Sequence, residues 1–165
     1  MYENPKFNEI NEKVLCEMDG KNADMLMNIT VKVLDAGQTF TMWDKFNETA
    51  MLLLSGDVTY YFDGREEKAK RENQFVDRPY CLHFSRANEI KITAHTESRI
   101  LIQQTDNDND FGFVWYTPEN VTLQEFGKDQ WNGTAHRQVL TLFDYENAPY
   151  SNMVLGEVIH KPGCW

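Results

Sequence analysis

Short alternating apolar segments, separated by turn residues roughly every ten positions, constrain the fold of this chain more than any other feature. Between residues 25 and 42, apolar and polar residues alternate on both sides of the turn signal Asp35-Ala36-Gly37. Alternation with a period of two places one row of side chains on a single face of a strand, whereas a helix needs a period near 3.6. Helical periodicity is almost absent, so the pattern predicts an all-β barrel or sandwich.

Two neighbouring apolar segments predict a β-hairpin. Residues 50–54 and the β-branched and aromatic segment 58–62 flank a turn signal at Ser55-Gly56-Asp57, and Asp63-Gly64 closes the second strand. β-Branched and aromatic residues favour strands, whereas Gly and Asp favour turns. The charged segment Arg65–Asn73 that follows is expected to be a solvated loop.

The remaining segments predict shorter strands and a connector. Residues 1–24 contain one weakly periodic piece around Val14, which fits either a short strand or a turn of helix. Residues 106–110 are expected to be a hydrophilic turn, and residues 118–133 a connector. The other predicted strands are 80–84, 90–93, 99–105, 111–117, 137–143, 153–155 and 158–159, with a kink at Gly156 between the last two.

Charge and composition exclude several classes of protein. Sixteen basic and twenty-six acidic residues give a net charge of -10, which repels nucleic acid and anionic membrane surfaces. No apolar run approaches the ~20 residues of a membrane span, and the polar N-terminus shows no signal peptide, so a cytoplasmic location is expected. Cys16, Cys81 and Cys164 are far apart, which predicts free thiols in a reducing compartment.

The spacing of Gly37 and Gly56 resembles the metal-binding segment of cupin barrels. In that segment a glycine is followed after five residues by His-x-His, then by a glutamate three or four residues later and by a second glycine six residues after that. Both glycines are present, but Trp43, Lys45 and Thr49 occupy the three ligand positions. We therefore expect a barrel without its metal ligands, in which Trp43 and Lys45 either fill the interior or line a residual pocket.

A second cupin segment leads to the same expectation. Pro79 and Asn88 match its proline and asparagine. Asn73 and Cys81 replace its two glycines, and Phe84 replaces its histidine. Together the two segments predict a cupin-like jelly-roll barrel that binds no metal. We expect each of the four histidines to be exposed or satisfied by hydrogen bonds: His83, His95, His136 and His160. We expect His83 to be directed away from the interior.

The C-terminal residues carry a resemblance to a known enzyme family. Arg137-Gln138-Val139, the strand Met153–Val158 and the turn Pro162-Gly163-Cys164-Trp165 resemble the joint between the two barrels of 5-deoxyglucuronate isomerases, enzymes of myo-inositol catabolism. The related 5-keto-4-deoxyuronate isomerases are similar in layout. The resemblance implies that residues 1–125 form the N-terminal barrel of a bicupin. Residues 126–165 would then be a connector and the first strands of a truncated second barrel.

The resemblance also implies a function. The family interconverts 5-deoxy-glucuronate, an aldose, and 2-deoxy-5-keto-gluconate, with a divalent metal in the C-terminal barrel. By this resemblance we expect no cofactor in this chain. We also expect the chain to be inactive alone. Arg137, Glu157 and His160 are candidate substrate-binding residues for the sugar acid, although solvated or interface roles are open for Arg137 and Glu157. The alternative is a metal-free cupin that acts as a sugar-acid-binding or oligomerisation module. Unpaired edges of the strands 137–143 and 153–159 are expected to promote self-association.

Overall fold

The structure is a computed structural model that describes residues 4–164, so Trp165, the last residue of the expected turn, lies outside the described residues. Val14 lies in a strand, and the short 3-10 turns Ala23–Met25 and Trp131–Gly133 lie between strands. None of the described helices is long and apolar enough to cross a membrane. The strands are β1 (Glu12–Cys16), β2 (Asn28–Leu34), β3 (Thr39–Trp43), β4 (Asn47–Phe62), β5 (Arg65–Arg71), β6 (Cys81–Phe84), β7 (Glu89–Ala94), β8 (Ser98–Asp106), β9 (Phe113–Tyr116), β10 (Thr122–Phe126), β11 (Arg137–Phe143) and β12 (Leu155–His160).

Nine of these strands form one large antiparallel sheet and three form a second. The large sheet runs β1-β2-β8-β4-β6-β9, and β4 also pairs with β5 and β7, which in turn pairs with β3. The second sheet runs β10-β11-β12. Hydrogen bonds between the described residues do not close either sheet into a complete barrel, and the architecture is the all-β, cupin-like jelly roll that the sequence predicts.

Strand β4 corrects the predicted hairpin. The turn expected at Ser55-Gly56-Asp57 is a bend inside one continuous strand, and the chain reverses only at Asp63-Gly64. Gly56 has a φ of +118°, and the register of β4 shifts between Leu53 and Ser55. The first half of β4 pairs with β6 and β8, whereas the second half pairs with β5 and β7. The turn residues therefore bend the strand between two groups of partners.

Strand β5 corrects the prediction of a charged loop. Residues 65–71 pair with β4 from Phe62 back to Gly56. Side chains alternate along β5, so that its exposed charges face solvent while Ala69 and Arg71 are buried. The density of charge concealed the alternation in the sequence.

The C-terminal part also differs from the sequence pattern. The expected connector contains β10, all of whose side chains are exposed, and β12 is one continuous strand in which Gly156 pairs with Thr141 instead of making a kink. Strand β11 is paired on both sides, so it has no free edge for association. The predicted boundary after residue 125 falls inside β10, and the division into two domains stays a prediction.

Two apolar cores lie on opposite sides of β4. Met51, Leu53 and Phe84 belong to the inner core of the jelly roll. Ala50 and Leu52, on the other face, pack with residues of the second sheet such as Phe143. Alternate residues of a strand face opposite sides, so burial of β4 on both faces requires a layer on each. The second sheet supplies the outer layer.

Candidate functional site

The interior of the jelly roll does not have the side chains expected from the cupin spacing. Phe40 and Met42 of β3 pack against the inner core. Trp43 is 55% exposed and Lys45 is also exposed, so the expectation that they fill the barrel is wrong. Because side chains alternate along a strand, inward Phe40 and Met42 require Trp43 to face outward.

The two remaining ligand positions are buried but carry no metal-binding group. Thr49 lies opposite Phe84, and its hydroxyl accepts a hydrogen bond of 3.2 Å from Nε2 of Gln104. The same amide nitrogen lies 3.2 Å from Oδ2 of Asp44, a carboxylate that also accepts bonds from Asn47. A hydroxyl, an amide and a phenyl ring do not fit the divalent metal of a cupin. Nowhere in residues 4–164 do three His, Cys, Asp or Glu side chains form a potential metal site.

A buried polar cluster joins the outer face of the jelly roll to the C-terminal segment. Oε1 of Glu48 accepts hydrogen bonds from the Asn152 backbone at 2.8 Å and the Ser151 hydroxyl at 3.1 Å. Oε2 accepts one from Asn107 at 2.9 Å and lies 3.4 Å from Nε2 of His83. Burial alone raises the pKa of Glu48, but the hydrogen bonds from His83, Asn107 and Asn152 outweigh it and lower the pKa below its ordinary value.

His83 is directed away from the jelly-roll interior, as predicted, but it is neither exposed nor fully satisfied. Its ring stacks on Phe143 of β11 with 4.1 Å between centroids and a 2° interplanar angle. The side chain is completely buried, and its Nδ1 atom has no hydrogen-bond partner. The buried Nε2 atom of His136 makes no hydrogen bond but lies 3.6 Å from Oε1 of Glu125. The expectation for the histidines is therefore wrong at His83.

The structure brings two of the three predicted substrate-binding residues together. Arg137 and His160 lie directly opposite each other on β11 and β12, so their side chains share one face of the second sheet. The Arg137 guanidinium lies over the ring of Phe126, 5.5 Å from its centroid. Arg137 is half-buried and His160 is exposed, which leaves two nitrogen-rich side chains at the end of this face.

Glu157 lies on the other face of β12, opposite buried Leu140. Both of its carboxylate oxygens accept hydrogen bonds from Arg71, at 2.8 and 2.7 Å. Arg71 is fully buried and also donates to the backbone oxygens of Leu53, Gln74 and Asp77. This bidentate pair fixes β12 to β5. Sequence reasoning missed Arg71, whose only signal was its place on the same strand face as Ala69.

These features define a cupin-like jelly-roll protein with an additional three-stranded sheet packed on its outer face. The sequence of residues 1–165 matches the KduI/IolB family, and the chain belongs to this family. It is an isomerase family.

Comparisons with other proteins give a structural relative. No curated protein matches the sequence. An IolB-like protein from Salmonella typhimurium LT2 superimposes with a TM-score of 0.75 at 18% identity, covering 84% of this chain and 52% of that protein. A cupin superfamily protein from Desulfitobacterium hafniense DCB-2 gives a TM-score of 0.47 at 15% identity, covering 63% of this chain and 84% of that protein. The chain thus spans about half the length of the IolB-like protein.

Proposed function

We propose that this chain is the N-terminal part of an aldose-ketose isomerase that converts 5-deoxy-glucuronate to 2-deoxy-5-keto-gluconate in inositol catabolism, in the cytoplasm. Membership of the KduI/IolB family over residues 1–165 is the observation that carries the proposal. The metal-dependent chemistry belongs to a second barrel outside these residues. The apolar interior and the side chains at positions 43, 45, 49 and 84 support this division of roles.

The second sheet supplies a wall of the proposed substrate site. The substrate is a carboxylate, and Arg137 is suited to it because a guanidinium can bind a carboxylate through two parallel hydrogen bonds. His160 lies directly opposite and donates a further hydrogen bond. In this proposal both side chains hold and orient the acid group, while the proton moves between C1 and C2 at the other end of the sugar. Glu157 contributes by holding β12 through Arg71.

The test uses the protein that comprises this chain and the second barrel, with 5-deoxy-glucuronate as substrate. We expect isomerisation that a chelator abolishes, and an Arg137→Met variant with KM raised about tenfold through loss of a charged hydrogen bond. Arg99→Met is the matched control, because the Arg99 side chain is 54% exposed and lies in the large sheet. Full activity after verified metal removal would contradict the proposal. Binding of the sugar acid without isomerisation would instead favour the metal-free binding module.

A further inference from the structure

The loop Glu72–Asp77, called here the 72–77 loop, is held by its own hydrogen bonds. Oδ2 of Asp77 accepts bonds from the backbone nitrogens of Glu72 and Asn73 at 3.0 and 2.9 Å. Oδ1 of Asn73 accepts one from the nitrogen of Phe75, and the Asn73 carbonyl accepts two more from Val76 and Asp77. The loop therefore has a defined backbone conformation.

Arg71 fixes this loop relative to β12. Its guanidinium donates to the carbonyl oxygens of Gln74 at 3.1 Å and Asp77 at 2.9 Å, and binds the Glu157 carboxylate on β12 at the same time. The Arg71 side chain is completely buried. One buried group therefore holds both walls of the space between the loop and the end of β12.

The fixed loop presents apolar side chains to solvent. Phe75 is 70% exposed and Val76 is 77% exposed. Exposed apolar side chains on a fixed backbone are typical of a binding surface, because the loop cannot bury them by rearranging. Phe75, Ile159 and Pro162 line a cavity of about 550 Å³, which is within the range of small-molecule sites.

The charges around this cavity are cationic or titratable, in contrast to the rest of the chain. Lys161 and His160 belong to its lining, and none of its described lining residues is acidic. The chain as a whole carries a net charge of -10. A concave site that combines an aromatic ring with a local ammonium group favours a small anion that also has an apolar face.

We propose that this cavity binds a monosaccharide carboxylate. The C–H face of the sugar packs on the Phe75 ring, and the carboxylate pairs with the Lys161 ammonium, at a place separate from the face that Arg137 and His160 share. The choice of sugar acid as the ligand class rests on the proposed function, whereas the site itself lies on loop and strand-end residues other than Arg137. The Arg71–Glu157 ion pair positions the two walls, so Glu157 acts through the loop that it fixes.

The experiment measures equilibrium binding of D-glucuronate to residues 1–165 by NMR chemical-shift titration, with D-glucose as the neutral probe. We expect glucuronate to bind more tightly than glucose. Phe75→Ala and Lys161→Met should each weaken glucuronate binding about fivefold or more, and Lys161→Met should leave glucose unchanged. The matched controls are Phe46→Ala and Lys45→Met, since both side chains are exposed outside the cavity.

The outcomes separate this inference from the proposed isomerase function. If Phe75→Ala and Lys161→Met bind glucuronate as tightly as the controls do, the proposed cavity site is wrong. If only Arg137→Met loses binding, the acid group lies on the face of β11 and β12 instead. Loss of binding in the cavity variants supports the cavity even where the complete protein fails to isomerise 5-deoxy-glucuronate. If sedimentation shows that Phe75→Ala changes the oligomeric state, the proposed ligand site is wrong, and Phe75 instead makes a contact between two chains. Unchanged thermal unfolding serves as the folding control, because Phe75 is mostly exposed.

Discussion

At the residue scale, two buried ionisable groups connect the parts of this molecule. Every nitrogen of the Arg71 guanidinium donates hydrogen bonds. The acceptors are the backbone oxygens of Leu53, Gln74 and Asp77 and the carboxylate of Glu157. Glu48, on the outer face of β4, accepts four contacts, from His83, Asn107, Ser151 and Asn152. A buried charge is tolerated only when such partners satisfy it. Both groups therefore hold the C-terminal segment in one position relative to the jelly roll.

Glu48 gives a prediction for the pH dependence of stability. The folded state lowers the pKa of this carboxyl below its ordinary value of 4.5. The stability that it contributes is therefore fully present above pH 4.5 and is lost as the pH falls through the lowered folded-state value. Urea unfolding between pH 3 and pH 7 should show this loss, and Glu48→Gln should flatten the curve in the acid range. Asp108→Asn, at a 99% exposed side chain, is the control and should keep the acid-range slope of the parent chain.

A steep acid-range slope that persists in Glu48→Gln would show that other carboxyls dominate. Asp44 is the first to test in that case. Burial opposes its ionisation, yet hydrogen bonds from Asn47, Phe46 and Gln104 lower its pKa as well.

At the element scale, β4 is the strand from which the sheets are built. Its bend at Gly56 lets one strand pair with four others in turn. The positive φ of Gly56 and its closeness to Ser98 explain why glycine occupies this position.

Gly56→Ala tests the bend. A Cβ at Gly56 would lie 2.7 Å from the Cα of Ser98, which is closer than side chains approach backbone atoms. Gly64 is the matched control, since its φ of +72° is also positive but no atom lies within 4 Å of its Cβ position. We expect Gly64→Ala to lower the free energy of unfolding by about 1 kcal/mol and Gly56→Ala to lower it by about 3 kcal/mol or more. Equal losses in urea unfolding would contradict the crowding at Gly56.

Most strands could be predicted from the sequence, and the exceptions share a physical cause. β3 and the middle of β11 alternate clearly because their two faces differ in exposure, and the apolar residues of β2 alternate in sequence although most of its side chains are partly buried. β5 and β10 carry mostly exposed side chains, so no hydrophobic period marks them. Backbone hydrogen bonds to a neighbouring strand form such elements, and a single sequence does not reveal which neighbour that is.

The candidate site could be predicted only where its residues are close in sequence or belong to a motif. The candidates Arg137, Glu157 and His160 come from the family resemblance, whereas the pairing of Arg137 with His160 is seen only in the structure. The pairs Arg71–Glu157 and Glu48–Asn152 are separated by 86 and 104 residues, so only the folded topology brings them together. The cavity beside Phe75 depends on the first of these long-range pairs.

At the scale of the whole molecule, the jelly roll and the second sheet share one layer. The residues of β4 contribute to both cores, and His83 of β6 stacks on Phe143 of β11. Apolar burial of this kind is cooperative because neither layer can separate without exposing the other. The two sheets should therefore unfold as a unit.

Phe143→Ala tests this coupling. Phe143 is fully buried, so its truncation should lower the free energy of unfolding by about 3–5 kcal/mol. Phe46→Ala, at a side chain that is 63% exposed, should have little effect. Far-ultraviolet circular dichroism and tryptophan fluorescence should report one coincident urea transition for the parent and both variants. Two separate transitions would show that the sheets fold independently.

The position of Glu48 in the chain has a consequence for how the protein is made. Its backbone partner Asn152 is synthesised 104 residues later. At a translation rate of about 5–20 residues per second, this interval lasts roughly 5–20 s. Once residue 116 has been made, the jelly-roll strands can pair while Glu48 still lacks Ser151 and Asn152, and His83 still lacks Phe143. The nascent chain therefore presents the apolar outer face of β4 together with a partly satisfied carboxylate, and a chaperone that recognises this surface should bind before residue 152 emerges from the ribosome and leave afterwards.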